Sequence, residues 1–162
     1  EMLGTAHGAS WVETLRAYDP ALLLRSPVDT SPHFPGGEAV DGAHRSSSYS
    51  INYFLSPDNA SGAGRLDRVG RPAATAHFVI AVFEGSRAVR DHVHPHLWWS
   101  AVRELIPAKA ASEVQTNAHG GDAGAWDAVS NYGFLDGHAE ARPFAAVYTD
   151  RDLNSFDPAT AH

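Results

Sequence analysis

Ten of the 162 residues are histidines, and three of them alternate in the run Asp91-His92-Val93-His94-Pro95-His96. Alternate residues of an extended segment point to one side, so these imidazoles can hold a metal ion between them. Asp91 adjoins the first histidine, and Glu84 stands a few residues earlier at the end of an apolar run, so both join the candidate ligands. The blander reading is an exposed polar loop whose histidines meet water, anchored to the core by Leu97, Trp98 and Trp99. If the chain is not an enzyme, replacing His94 and His96 by alanine should leave the fold intact with little loss of thermal stability. A second grouping joins His119-Gly120-Gly121 to Asp136-Gly137-His138-Ala139-Glu140. Asp136, His138 and His119 would suit calcium if backbone carbonyls joined in, or another divalent cation in a mixed nitrogen–oxygen site. Spacing alone favours a simpler arrangement, a hairpin turn in which Asp136 bonds the turn amides and His138 packs beside it.

Other chemistries have less support. The chain has no cysteine, which excludes disulfides, thiolate metal sites and cysteine nucleophiles. No Gly-x-Ser-x-Gly elbow or phosphate-cradling loop is present, and Ser46, Ser47 and Ser48 lack a flanking signature. The formal net charge is −7, and Lys109 is the only lysine. Such a surface suits neither a nucleic-acid binder nor a polybasic membrane anchor. Four tryptophans (Trp11, Trp98, Trp99, Trp126) suit core anchoring or loop support better than a sugar platform.

The elements that must position these groups read as a single domain over residues 1–162. Trp11, Leu15, Tyr18 and Leu22 recur at helical spacing behind a possible Ser10 cap. Asp19-Pro20 should end that helix near Ala17 and leave a short apolar segment, 21–24. Residues 26–46 and 57–71 read as loops, and 108–130 carries little periodic signal. Ser48–Leu55 and the nearly all-apolar Ala76–Phe83 read as strands, the latter central in a sheet. Arg87–Pro95 should leave the sheet as a loop, and Trp98–Ile106 should be a short helix ended by Pro107. Tyr132–Leu135 and Ala139–Tyr148 should pair across an Asp136-Gly137 turn. The fold class that follows is α+β, with an N-terminal helix, about four mainly antiparallel strands and long loops.

Several blocks resemble, in order, the globular region of the bacterial prepilin-type, or pseudopilin-like, proteins named for a histidine followed by an Asp-Gly pair. Trp11 to Leu24 is similar to the family's Trp-containing helix. Leu24-Arg25-Ser26-Pro27-Val28-Asp29 is similar to its Cys-Pro-x-Asp stretch, with Ser26 in the cysteine's place. Ser48-Tyr49-Ser50-Ile51-Asn52 matches its Ser-Tyr-x-x-Asn strand, and Phe83-Glu84-Gly85 its apolar strand ending in glutamate. The most specific block is His119-Gly120-Gly121 with Asn131-Tyr132-Gly133-Phe134-Leu135-Asp136-Gly137-His138-Ala139-Glu140. Here the interval from His119 to Asp136 is longer than the family's, which implies an insertion around 122–128.

The resemblance implies a pilin-like fold and a non-enzymatic subunit of a type IV pilus-like or type II secretion-like filament. Its partners would be other pilin or pseudopilin subunits. It would be exported, held in the inner membrane before assembly, and periplasmic or extracellular in the filament. The family's processing site and long apolar helix are not in this sequence, so membrane attachment would run only through that missing helix. Two readings from other classes stand beside it. One is a small metal-dependent hydrolase or oxygenase combining His92, His94 or His96 with His119 and Asp136. The other is an exported binding protein with tryptophans lining its pocket.

Overall fold

The computed structural model describes residues 11–19, 24–56, 59 and 66–162. Ser10, residues 20–23 and most of 57–65 lie outside the described residues, and with them the expected helix cap, the segment 21–23 and much of the polar excursion. The fold is mixed α/β, built on a mainly antiparallel five-stranded sheet. Its strands are β1 (Tyr49–Asn52), β2 (Ala76–Ile80), β3 (His92–Val93), β4 (Val129–Phe134) and β5 (Ala139–Pro143). They lie in the order β3-β1-β2-β4-β5. The apolar run that reads as a central strand is indeed central: β2 pairs antiparallel with both β1 and β4. The segment expected to leave the sheet returns to it, because β3 adds to β1 as a short parallel edge strand, with Ile51 opposite His92.

Register determines which face each residue takes. Ser50, Val79 and Tyr132 are register partners across β1, β2 and β4, and all three are buried. In β4 the alternation continues through Ser130 and Phe134, also buried. This face meets the main core, where Trp98 packs against Phe144, Tyr148 and Phe156. The opposite face carries Phe78, and Trp11 of helix α1 (Trp11–Tyr18) meets its ring edge-on at 5.3 Å. Gly133 lies opposite Phe78, whose Cβ would stand 3.4 Å from a Cβ at that position.

One helical expectation is met and one is corrected: α1 ends at Tyr18, close to the expected Ala17. In α1 it is Val12 that is buried, while Leu15 is 38% and Tyr18 85% exposed. Only the first turn rests on the sheet, so the Trp11-Leu15-Tyr18 stripe does not face the core. Pro107 opens a helix instead of ending one: α2 spans Ile106–Ala111 with the proline in its first turn, where a missing N–H costs nothing. The expected helix over 98–106 is absent: after a 3₁₀ turn at Pro95–Leu97 the chain is irregular up to a second one, Arg103–Leu105, which leads into α2. After β5 the chain makes one helical turn, α3 (Phe144–Val147), then a two-stranded hairpin of β6 (Tyr148–Asp150) and β7 (Leu153–Asn154). The expected continuous strand 139–148 is therefore broken at Phe144, whose ring is needed in the core.

Candidate functional site

The alternating histidines do share a side. β3 holds His92 extended, the 3₁₀ turn beginning at Pro95 holds His96, and all three imidazoles gather on Tyr53. Ring centroids lie 5.6 Å from Tyr53 for His92, 5.3 Å for His94 and 5.9 Å for His96. His92 and His94 are 4.7 Å apart, and His94 and His96 5.8 Å. Tyr53 reaches this place because β1 turns into a 3₁₀ segment, Tyr53–Leu55, capped by the Asn52 side chain, whose oxygen accepts the Phe54 N–H at 3.1 Å.

Each of the first two histidines is oriented by a carboxylate. His92 Nδ1 lies 2.7 Å from Asp91 Oδ1, and His94 Nδ1 lies 3.0 Å from Glu113 Oε1. An ionised carboxylate only accepts, so Nδ1 is the donor in both, and in the neutral form of each ring Nε2 carries the lone pair. Glu113 is 3% exposed. It is stabilised by the His94 N–H and the Trp98 indole N–H, each at 2.8 Å, and by an ion pair with Arg87. The partial burial of His94, with His92, His96 and the nearby arginines Arg87 and Arg90, pushes its pKa down to about 4. Desolvation here outweighs the adjacent carboxylate, and His94 is neutral at pH 7. Asp91 is held below its usual range, chiefly by its hydrogen bond with His92. His94 thus does more than decorate a loop: its imidazole helps satisfy a buried acid, and its loss should be felt.

Glu84 takes no part in this cluster among the described contacts and lies exposed in the turn before Gly85. The buried acid beside His94 is Glu113, from the segment that looked structureless. Only its position as a lone acid between Ala110 and Val114 hints at burial.

The second grouping sits elsewhere. β3 and β4 are separated by β1 and β2, which places them roughly 14 Å apart at about 4.8 Å per strand. The β4–β5 turn carries Asp136 and His138, so the constellation of His92 or His94 with Asp136 is not assembled. His138 Nδ1 lies 2.5 Å from Asp136 Oδ1, the His138 N–H donates to the same oxygen at 3.2 Å, and Nε2 lies 3.4 Å from Glu140 Oε1. The imidazole stacks on Phe134 at 4.5 Å. These hydrogen bonds raise the His138 pKa and lower that of Asp136. This is the hairpin closure that spacing favoured. His119 is exposed, and its backbone pairs with Val129. Gly121 adopts φ +81°, and a Cβ there would come within 3.0 Å of Ala128 Cα, so the glycine is required by the backbone.

The other residues of the family-like blocks are also engaged in the scaffold. The Ser26 N–H donates to Ser48 Oγ at 2.7 Å. Buried Asp29 lies 2.8 Å from Arg45 Nη2 as an ion pair. The Arg45 guanidinium also donates to the carbonyls of Ala81, Val82 and Ala88 at 3.0, 2.5 and 2.9 Å. Asn52 Nδ2 donates to Ala76 O at 2.8 Å and Phe156 O at 2.6 Å.

Fold and site together define a mixed α/β fold with a histidine cluster at one sheet edge, two of its rings held by carboxylates. No protein-family model, curated protein or solved structure matches the chain.

Proposed function

We propose that this chain is the globular head of a pilin-like structural subunit, exported and assembled with other pilin or pseudopilin subunits into a filament. The observation that carries this reading is where the blocks resembling that family are used. Ser26, Asp29, Ser48 and Asn52 are buried and bonded within the scaffold, and Gly121 is needed by the backbone itself. A catalytic motif would instead direct polar groups into a cleft. In support stands a short helix whose first turn rests on a mainly antiparallel sheet, with the Trp11 indole donating to Asp91 O at 2.9 Å beside the β3 edge.

A second reading, a small-ligand binder, has one observation in its favour. A concavity of about 430 Å³ is lined by Phe54, His96, Trp99, Tyr148 and Arg151. Quenching of tryptophan fluorescence by a ligand library distinguishes the two, and the structural-subunit reading expects a flat response.

The direct test expresses the complete gene, epitope-tagged, in its host and probes sheared surface filaments and the cell envelope. The tagged chain is expected in one of those fractions, crosslinked to neighbouring subunits. Recovery solely as a free monomer, with no crosslinked neighbour, overturns the proposal.

A further inference from the structure

We propose that His92 and His94, joined by His96, form a binding site for one borderline divalent transition metal, of which zinc(II) is the ion to test. The inference stands on the geometry of the β3 edge and is independent of the filament reading. Metal-binding imidazoles almost always donate their second nitrogen to a carboxylate or carbonyl, which fixes the tautomer and aims the free lone pair. Both histidines have that partner already, Asp91 for His92 and Glu113 for His94.

The ring spacing agrees. With a metal–nitrogen bond of about 2.05 Å and a ring radius of about 1.2 Å, the metal stands roughly 3.2 Å from each ring centroid. Two imidazoles then have centroids about 4.5 Å apart at a right angle and about 5.2 Å apart at the tetrahedral angle. The His92–His94 separation of 4.7 Å falls inside that interval. His96 stands 5.8 Å from His94, outside that interval, and is exposed, so the proposed site requires its side chain to rotate inward. That rotation is required, because among the described residues no three histidine, aspartate or glutamate side chains already converge on one ion. Tyr53 backs all three rings and gives the site an aromatic wall. An all-imidazole set suits zinc, copper or nickel and is too soft for calcium or magnesium. Asp91 and Glu113 offset the positive charge of the nearby arginines.

The experiment stripes the whole chain of metal with a chelator, dialyses it against zinc(II) and counts retained zinc per chain. Cobalt(II) substitution reads the ligand geometry through its visible ligand-field bands. One zinc per chain is expected. The double variant His92→Gln, His94→Gln should lose it, since glutamine keeps a donor for each carboxylate and removes the ligand nitrogen. Asp91→Asn should weaken binding by about 10- to 100-fold, and His138→Gln should leave it unchanged. Should the double variant not fold, as judged by circular dichroism, His92→Gln and His96→Gln singly provide the same reading. Absence of stoichiometric zinc in the parent, or undiminished zinc in the folded variants, overturns the proposal.

Discussion

The most consequential single residue is Glu113, because a carboxylate at 3% exposure needs every donor it has. Its partners come from three places, Arg87, His94 and Trp98, and the last is itself fully buried. Replacing it with alanine leaves the Trp98 indole N–H unpaired in the core, which should cost about 2–4 kcal/mol by denaturant unfolding. His94→Ala removes one donor to the same acid and should cost about 1–2 kcal/mol; a change of less than a few tenths would return His94 to the status of a loop residue. His138 gives a different kind of test. Its pKa is raised above 6.5 mainly by Asp136, so the favourable pairing is complete below pH 6.5 and fades as pH rises through the raised value. Asp136 is lowered from 3.8, so its share is present above that pH and is lost as pH falls through the lowered value. The pairing is therefore strongest between those two ordinary values. Proton NMR titration should place the His138 midpoint above 6.5, and Asp136→Asn should bring it down; an unmoved midpoint would show that the contact is absent in solution.

At the scale of elements, what could be read from the chain depended on how local its cause was. The central strand β2 shows as an apolar run, and the β4–β5 turn shows as Asp136-Gly137, with Gly137 at φ +94°. β3 left no trace, since two residues carry no period and its partner β1 lies about forty positions away in the chain. α2 was displaced because a proline ends one helix and begins another with equal ease. The histidine cluster was visible from alternation, whereas Glu113 and Tyr53 arrive through tertiary packing that no local pattern encodes. α1 meets the rest of the fold through buried Val12, the Trp11–Phe78 ring pair and the Trp11 indole hydrogen bond. Trp11→Ala should therefore cost about 2 kcal/mol, less than a fully buried tryptophan, since part of the side chain already meets water. Amide hydrogen exchange should show the loss concentrated in α1 and around Asp91, with β2 and β4 keeping their protection.

For the whole molecule, the long irregular segments raise the question of what makes the domain fold as a unit. Several of its ties span long stretches of sequence and involve buried polar groups. Arg45 draws together carbonyls at 81, 82 and 88, and Asn52 joins β1 to the β2 carbonyl at Ala76 and to Phe156 near the carboxyl end. Because such groups are buried, they cannot exchange their partners for water one at a time, and loops fixed by them should melt with the sheet instead of before it. Asn52→Ala isolates that claim. The substitution strips one donor bond from each of two buried carbonyls and the cap from the Tyr53 turn, a loss of about 2–3 kcal/mol. For a domain of this size each kcal/mol is worth roughly 2–4 °C, so the melting midpoint should drop by roughly 4–12 °C while the transition stays single. If the sheet and the carboxyl-terminal segment instead melted in two steps in the parent protein, the polar ties would be incidental. Packing around Trp98 would then hold the domain together without them.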